Sequence, residues 1–244
     1  MTRLDVKLFE NKTFETREKA KNAIKSGSIS VNGKVCTKPS TEIKDTDKLE
    51  VTSETLKYVS RAGLKLEGAK KIWNIDFSNK FVLDVGASTG GFTDFSLQNG
   101  ARKVVAIDVG TNQLHSKLKN DNRVLSLEKT DFRDFDKNGY KICEDFDIAV
   151  CDCSFISLKL LAHKFFEVLK SGAKLVVLIK PQFECGKELA KKYKGVIKDK
   201  TLQEKIKNEI VLYFETVGFK LLGTADSPIL GGDGNKEFLA YFER

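Results

Sequence analysis

The sequence predicts an α/β protein: a doubly wound, mostly parallel, seven-stranded sheet of Rossmann-like type, preceded by a small α+β domain. Three observations predict it. Short apolar runs alternate with helical stretches over most of the chain, the pattern of a parallel sheet covered on both faces. The run Phe81-Val82-Leu83-Asp84-Val85 breaks into Gly86-Ala87-Ser88-Thr89-Gly90-Gly91, a turn where backbone approaches a ligand closely. Residues 1–51 carry their own helix and hairpin signals at shorter spacing.

Within that first part, Leu4 to Phe9 is a short helical stretch with Leu4 and Leu8 on one side. Thr16 is a suitable N-cap for a second helix to about Lys25, ended by Ser26-Gly27. Ala20, Ala23 and Ile24 share a face there, beside a basic stripe of Arg17, Lys21 and Lys25. Ile29-Ser30-Val31, Asn32-Gly33 and Lys34-Val35 form a hairpin signal. Thr41-Glu42-Ile43 and Lys48-Leu49-Glu50-Val51 alternate as strands around Asp45-Thr46-Asp47.

Residues 52–57 are the expected linker, and 58–244 the larger domain. It opens with a helix from Tyr58 to Trp73. Strands follow at Phe81–Val85, Val104–Ile107, Val124–Leu127, Ile148–Cys151 and Leu175–Lys180, with long helices near Leu158–Lys170 and Thr201–Thr216. Phe219–Thr224 and Phe238–Phe242 are expected to pair as a closing hairpin. Their connection, Leu230-Gly231-Gly232-Asp233-Gly234-Asn235, is long enough to sit over a site.

Composition narrows the class. A chain of 244 residues with 41% hydrophobic and 31% charged residues builds a sizeable core. Five cysteines without zinc spacing, and no signal peptide, place it in a reducing, cytoplasmic setting, with no metal expected. No apolar run approaches the ~18–20 residues that span a bilayer. Net charge is +8, and Met1 to Lys34 holds eight Lys/Arg against four acids. Positive charge is thus expected to be focused at the N-terminus, as an RNA-binding footprint.

In open α/β sheets, ligands lie beyond the carboxyl ends of the strands. Those ends carry Asp84, Asp108, Asp131, Asp152 and Lys180. A carboxylate such as Asp108, after a glycine turn and one helix, suits an adenosine ribose. The turn reads Gly86-x-x-x-Gly90-Gly91, with Ser88 where a dinucleotide fingerprint needs its middle glycine. Asp84 is badly placed for phosphate and well placed for a cation. S-adenosylmethionine is therefore favoured over NAD, the alternative being a nicotinamide oxidoreductase. Lys180 ends five apolar residues and precedes Pro181, so burial and Asp152 act on its pKa in opposite senses.

Two resemblances sharpen this. Arg3-Leu4-Asp5, the basic helix and Gly27-x-Ile29-x-Val31-Asn32-Gly33-Lys34 resemble the small RNA-binding module shared by a ribosomal small-subunit protein, tyrosyl-tRNA synthetases and pseudouridine synthases. That module departs here in having Thr16-Arg17 for the usual serine-arginine. It implies RNA contacts by Arg3, Lys7, Arg17, Lys21, Lys25, Asn32 and Lys34, with Arg61 nearby, through phosphates and shape. Across the whole chain, Tyr58-Val59-Ser60-Arg61-Ala62-Gly63-Leu64-Lys65, Asp84 to Thr93, Asp152-Cys153-Ser154-Phe155, Lys180-Pro181-Gln182-Phe183-Glu184 and Gly234-Asn235-Lys236-Glu237-Phe238 resemble the TlyA proteins. These ribosomal RNA 2′-O-methyltransferases also go under the name haemolysin A.

The resemblance implies cytidine ribose methylation in ribosomal RNA by a catalytic set of Lys65, Asp152, Lys180 and Glu237. Some members modify both subunits and tend to carry longer termini, so the short termini here favour large-subunit RNA, with small-subunit RNA as the open alternative. Asp84, Gly86, Ala87, Ser88, Gly90 and Gly91 are then expected around the methionine portion of the cofactor, Asp108 at its ribose and Asp131 at its adenine amino group. Lys180 would stabilise charge on the 2′-oxygen or, if neutral, take its proton. Two further readings stand against these: a membrane-lytic protein, disfavoured by the missing spanning segment, and an RNA-binding factor with an inactive catalytic domain.

Overall fold

The computed structural model describes every residue except 1, 15–16, 52–56, 194 and 232–233. The expected N-cap Thr16, most of the linker, and Gly232-Asp233 lie outside the described residues.

The N-terminal domain runs β1 (Thr2–Arg3), α1 (Leu4–Glu10), α2 (Arg17–Ser26), β2 (Ile29–Val31), β3 (Lys34–Val35), β4 (Glu42–Ile43) and β5 (Leu49–Val51). Leu4, Leu8, Ala20, Ile24, Ile29 and Ile43 close its core, the faces their spacing predicts. Asn32 (φ 52°) and Gly33 (φ 75°) both take positive φ. That conformation matches strand twist and makes the β2–β3 hairpin tight. β1 is unanticipated; it pairs with β4 through Thr2–Ile43 and Arg3–Glu42.

The larger domain continues with α3 (Ala62–Trp73), β6 (Phe81–Val85), α4 (Gly91–Gln98), β7 (Lys103–Ile107), α5 (Ser116–Lys119), β8 (Val124–Leu127) and β9 (Phe146–Cys151). Then come α6 (Lys159–Val168), β10 (Leu169–Ile179), α7 (Pro181–Glu184), α8 (Gly186–Lys192), α9 (Lys200–Val217), β11 (Lys220–Asp226) and β12 (Phe238–Glu243). Seven strands form one sheet in the order β11-β12-β10-β9-β6-β7-β8, all parallel except β12.

Alternation along the strands explains the double winding. Leu83, Val85, Val105 and Ile107 face one core, with Phe165 and Phe214 from α6 and α9. Val82, Val104, Ile148 and Val150 face the other, with Leu66, Ala69 and Phe95 from α3 and α4. The central strands β6, β9 and the end of β10 are buried on both sides, so they read as apolar runs, whereas the edge strand β11 alternates exposed and half-buried residues.

Three elements differ from expectation. α3 begins at Ala62 rather than Tyr58, because the Val59 N–H donates to Asp94 Oδ2 at 2.9 Å instead of entering a helix. The Tyr58 ring also fills the space beside Gly63, 2.5 Å from where a Cβ would stand. β10 starts at Leu169, ahead of the apolar run, with a register shift before Lys174. The closing hairpin pairs as expected, but β12 inserts between β11 and β10. Its register sets Phe238 opposite Ile179, which brings Glu237 beside Lys180.

Candidate active site

The site gathers on the carboxyl edge of the sheet, around a cavity of about 630 Å³. β6 delivers Asp84 to it fully buried. Thr93, on the first turn of α4, donates to Asp84 Oδ2 at 2.6 Å, while Oδ1 is buried without a hydrogen-bond partner among the described residues. Burial pushes the Asp84 pKa up to about 7 against the Thr93 bond, and the negative charge of Asp152 adds to the rise. An orphaned buried carboxylate oxygen calls for a cation or donor, which suits the ammonium and sulfonium of S-adenosylmethionine.

The glycine turn is shaped by contacts that a side chain would break. Gly86 takes φ 80°, and a Cβ there would stand 2.9 Å from Cys153 Sγ. Gly90 (φ 95°) would meet Leu118 Cδ1 at 2.2 Å. Gly91 lies against the start of α3, 2.4 Å from Ser60 Oγ by the same measure. Ser88 holds φ 48° and its N–H donates to Asp108 Oδ2 at 2.8 Å. Gly86, Ala87, Ser88 and Gly91 line the cavity with Asp84.

Asp108 and Asp131 are not part of that lining. Asp108 Oδ1 accepts the Gly110 N–H at 2.7 Å, so both its oxygens brace backbone. Asp131 accepts the Arg133 N–H at 2.9 Å and pairs with its guanidinium at 2.5 Å. That bond holds the Asp131 carboxyl below its ordinary pKa against partial burial. Both stand past the ends of β7 and β8, farther along the same sheet edge.

The four expected catalytic residues meet, although α3, β9, β10 and β12 each supply one. Lys180 Nζ lies 2.6 Å from Asp152 Oδ1, Lys65 Nζ lies 3.5 Å from Asp152 Oδ2, and Lys65 Nζ lies 2.8 Å from Glu237 Oε2. The charges alternate along one chain: Lys180, Asp152, Lys65, Glu237. Their side chains are 8%, 13%, 10% and 3% exposed. Asp152 Oδ1 and Glu237 Oε2 are paired by distance but off the hydrogen-bond direction, which leaves both oxygens directional capacity.

Burial disfavours both charges of the central pair, yet Coulomb attraction wins. Asp152 is lowered in pKa by Lys180 and Lys65 despite desolvation. Lys180 is raised by Asp152 and Glu237 despite its own desolvation. Both shifts run in the direction that keeps Asp152 a carboxylate and Lys180 an ammonium. Its ammonium donates to Ser154 Oγ at 2.9 Å.

Sequence reasoning passed over several of these groups. Thr93 and Ser154 lie within recognised motifs without an assigned role. Gly231 packs on the Glu237 carboxyl, 2.5 Å from where its Cβ would stand, and Leu230, Gly231 and Asn235 line the cavity. The described part of that connection thus does reach the site.

Of the expected RNA contacts, Lys25 and Arg61 line the cavity edge. Arg3 and Arg17 instead flank the fully buried Asp5, at 2.9 Å each, while remaining about half exposed. The Arg3 bond holds the Asp5 carboxyl below its ordinary pKa against burial, with Arg17 adding to the effect. Lys7 pairs with Asp45 at 2.5 Å, and Asn32 bridges from the β2–β3 turn to Asp47 and the Lys48 N–H of the β4–β5 turn. Lys34 is exposed and Lys21 half-buried.

Comparison with known proteins agrees with this architecture. Residues 58–244 match the FtsJ-like methyltransferase family and residues 2–49 the S4 domain. The chain is 40% identical over 196 residues to the 23S rRNA (cytidine-2′-O)-methyltransferase TlyA of Campylobacter jejuni, covering 80% of this chain and 74% of that one. It is 35% identical over 240 residues to the 16S/23S rRNA (cytidine-2′-O)-methyltransferase TlyA of Mycobacterium tuberculosis, covering 98% and 88%. A solved structure described as a hemolysin from Streptococcus thermophilus is 41% identical, with TM-score 0.77 over 99% of this chain and 88% of that one. Among the described residues no helix is long and apolar enough to cross a membrane. Family membership decides for a methyl donor over a nicotinamide: the chain is an FtsJ-like methyltransferase of the TlyA group, carrying an S4 domain at its N-terminus.

Proposed function

We propose that this enzyme transfers a methyl group to the 2′-hydroxyl of a cytidine in ribosomal RNA, in the large subunit, within the cytoplasm. The observation that carries the reading is the buried alternation Lys180–Asp152–Lys65–Glu237 on the same cavity as the Gly86–Gly91 turn. Large-subunit RNA is favoured because both TlyA relatives bear 23S rRNA in their names.

Bound S-adenosylmethionine supplies an electrophilic methyl group on sulfur. Asp84 would hold the cationic methionine end, and the turn from Gly86 to Gly91 would admit it without side-chain obstruction. Asp108 and Asp131 would serve the ribose and adenine amino group through the spare lone pairs that their oxygens keep beside the bonds they already accept.

A ribose hydroxyl is a weak nucleophile, so the site must align it and favour the charge it develops. Lys180 donates to the 2′-oxygen and stabilises that charge as the hydroxyl proton passes to an open carboxylate oxygen of Asp152 or Glu237, while the oxygen–methyl bond forms and the methyl–sulfur bond breaks. Asp152 keeps Lys180 protonated and aimed, while Lys65 and Glu237 extend the network and position the ribose. A fixed ammonium in a site shielded from water acts more strongly than a solvated one.

Residues 1–51 serve as the RNA-binding domain, joined through 52–57 to the catalytic domain of 58–244. Arg3, Arg17 and Lys7 carry partly neutralised charge, leaving Lys25 and Lys34 of this domain, with Arg61 of the catalytic domain, as the stronger phosphate contacts. The test is to map ribose methylation on large-subunit RNA incubated with enzyme and S-adenosylmethionine. One new 2′-O-methylcytidine is expected; label on a base, or on small-subunit RNA only, would overturn the assignment.

A further inference from the structure

Charge along the chain is not confined to the N-terminus. Residues 186–207 hold eight lysines against three acids, a larger excess than in residues 1–34. Lys191 and Lys192 end α8, Lys198 lies in the following loop, and Lys200 and Lys205 open α9. All five are exposed, and among the described residues none forms an ion pair. Two of the three acids are otherwise engaged: Asp199 caps α9 through the Leu202 N–H, and Glu204 pairs with Lys207; Glu188, exposed on α8, is the one acid beside Lys191 and Lys192.

This segment is built onto the catalytic cavity. α7 follows Lys180 directly and leads into α8. Asn235, 3% exposed and lining the cavity, clamps the loop from its far side. Its Nδ2 donates to the Gly195 carbonyl at 2.9 Å, and its Oδ1 accepts the Ile197 N–H at 3.2 Å. Gln203 Nε2 then donates to the Ile197 carbonyl at 2.6 Å. A buried amide two residues from Glu237 thus ties the lysine-bearing loop to the wall of the cavity.

Unpaired ammonium groups held on a fixed backbone have one strong electrostatic complement, a row of phosphates. We propose that Lys191, Lys192 and Lys198, with Lys200 and Lys205, form a second RNA-contact surface that grips phosphates flanking the target nucleotide. The S4 domain docks the folded RNA, and this surface presents the strand to Lys180. The inference rests on the ribosomal RNA reading above. A solvated basic face with no ligand is the competing account, and it predicts that only total charge matters.

The experiment compares two triple variants of the full chain. One is K191A/K192A/K198A. The other, K103A/K141A/K220A, removes equal charge at the opposite edge of the sheet, where β7, β9 and β11 begin. Filter binding to a large-subunit RNA transcript across a salt series gives Kd and its salt slope. The first variant is expected to raise Kd about 10- to 100-fold and to flatten the slope by about 0.7–0.9 per lost contact. S-adenosylmethionine binding and the single-turnover methylation rate at saturating RNA should stay at wild-type levels. The second variant should change Kd by less than about threefold, and K191R/K192R/K198R should restore binding. Equal effects of the two alanine variants, or an unchanged slope in the first, would overturn the surface while wild-type methylation leaves the enzyme assignment standing. A wild type that methylates no ribosomal RNA would overturn both.

Discussion

Lys180 Nζ and Asp152 Oδ1 lie 2.6 Å apart, one residue past the ends of adjacent parallel strands. Both are nearly excluded from solvent, and each holds the other in its charged form. The pair is a fixed dipole at the cavity wall, which is what a developing negative charge on a ribose oxygen requires. It also ties chemistry to stability, because neither ion is tolerable there alone.

Lys180→Ala is therefore expected to lower the single-turnover rate by about 10²- to 10⁴-fold, with S-adenosylmethionine and RNA affinities nearly unchanged. Rapid-quench methylation at saturating substrates measures it. Retention of full turnover would remove Lys180 from the chemistry.

Alkaline pH gives a second view of the same residue. Attraction by Asp152 and Glu237 raises the Lys180 pKa, so its ammonium and the associated stability are present below the ordinary lysine value and vanish only as pH climbs through the raised one. The methylation rate should show no descending limb from this group below about pH 9. A rate that rises through that range and disappears in Lys180→Arg would mark a neutral lysine acting as base, contrary to the present assignment.

Asp84 behaves oppositely to most carboxylates. Its folded pKa of about 7 exceeds the unfolded value of about 3.9, so the folded state binds the extra proton between them. Stability of the cofactor-free enzyme should fall as pH rises across that window, and Asp84→Asn should flatten the trend. Cofactor affinity should climb over the same range, as the ionised acid attracts the cation. Calorimetry in buffers of different ionisation enthalpy should find proton release on binding near pH 6.5 and none near pH 8.5, both approximate bounds around the shifted pKa. Binding without proton exchange at either pH would refute the role.

Gly86→Ala tests the turn. Positive φ and the 2.9 Å approach to Cys153 Sγ leave a methyl group strained and crowded. The expected cost is about 1–3 kcal/mol of stability, with cofactor affinity reduced by at least tenfold. Thermal melts and equilibrium binding of S-adenosylmethionine measure the two effects. A variant with wild-type affinity would show that the turn does not face the ligand.

Much of this was legible in the chain. Strands buried on both faces read as apolar runs, so Phe81–Val85 and the end of β10 were visible without a structure. The glycine turn and the acids at strand ends were visible too, because short segments dictate them. Helix starts were less so: α3 waits until Ala62 because a distant side chain, Asp94, takes the Val59 N–H. That Arg3 and Arg17 share their charge with Asp5 was not legible, because only folding buries Asp5 between them.

The sequence by itself determined the sheet, the turn and the identity of four polar residues, since periodicity and local sterics act over a few residues. Only tertiary structure decided that Lys65 bridges Asp152 and Glu237, residues remote from it along the chain. Insertion of β12 between β11 and β10 places Glu237 beside Lys180. The direction of the Lys180 pKa shift likewise depends on packing, because burial and Coulomb attraction oppose each other there and the approach of Asp152 turns the shift upward.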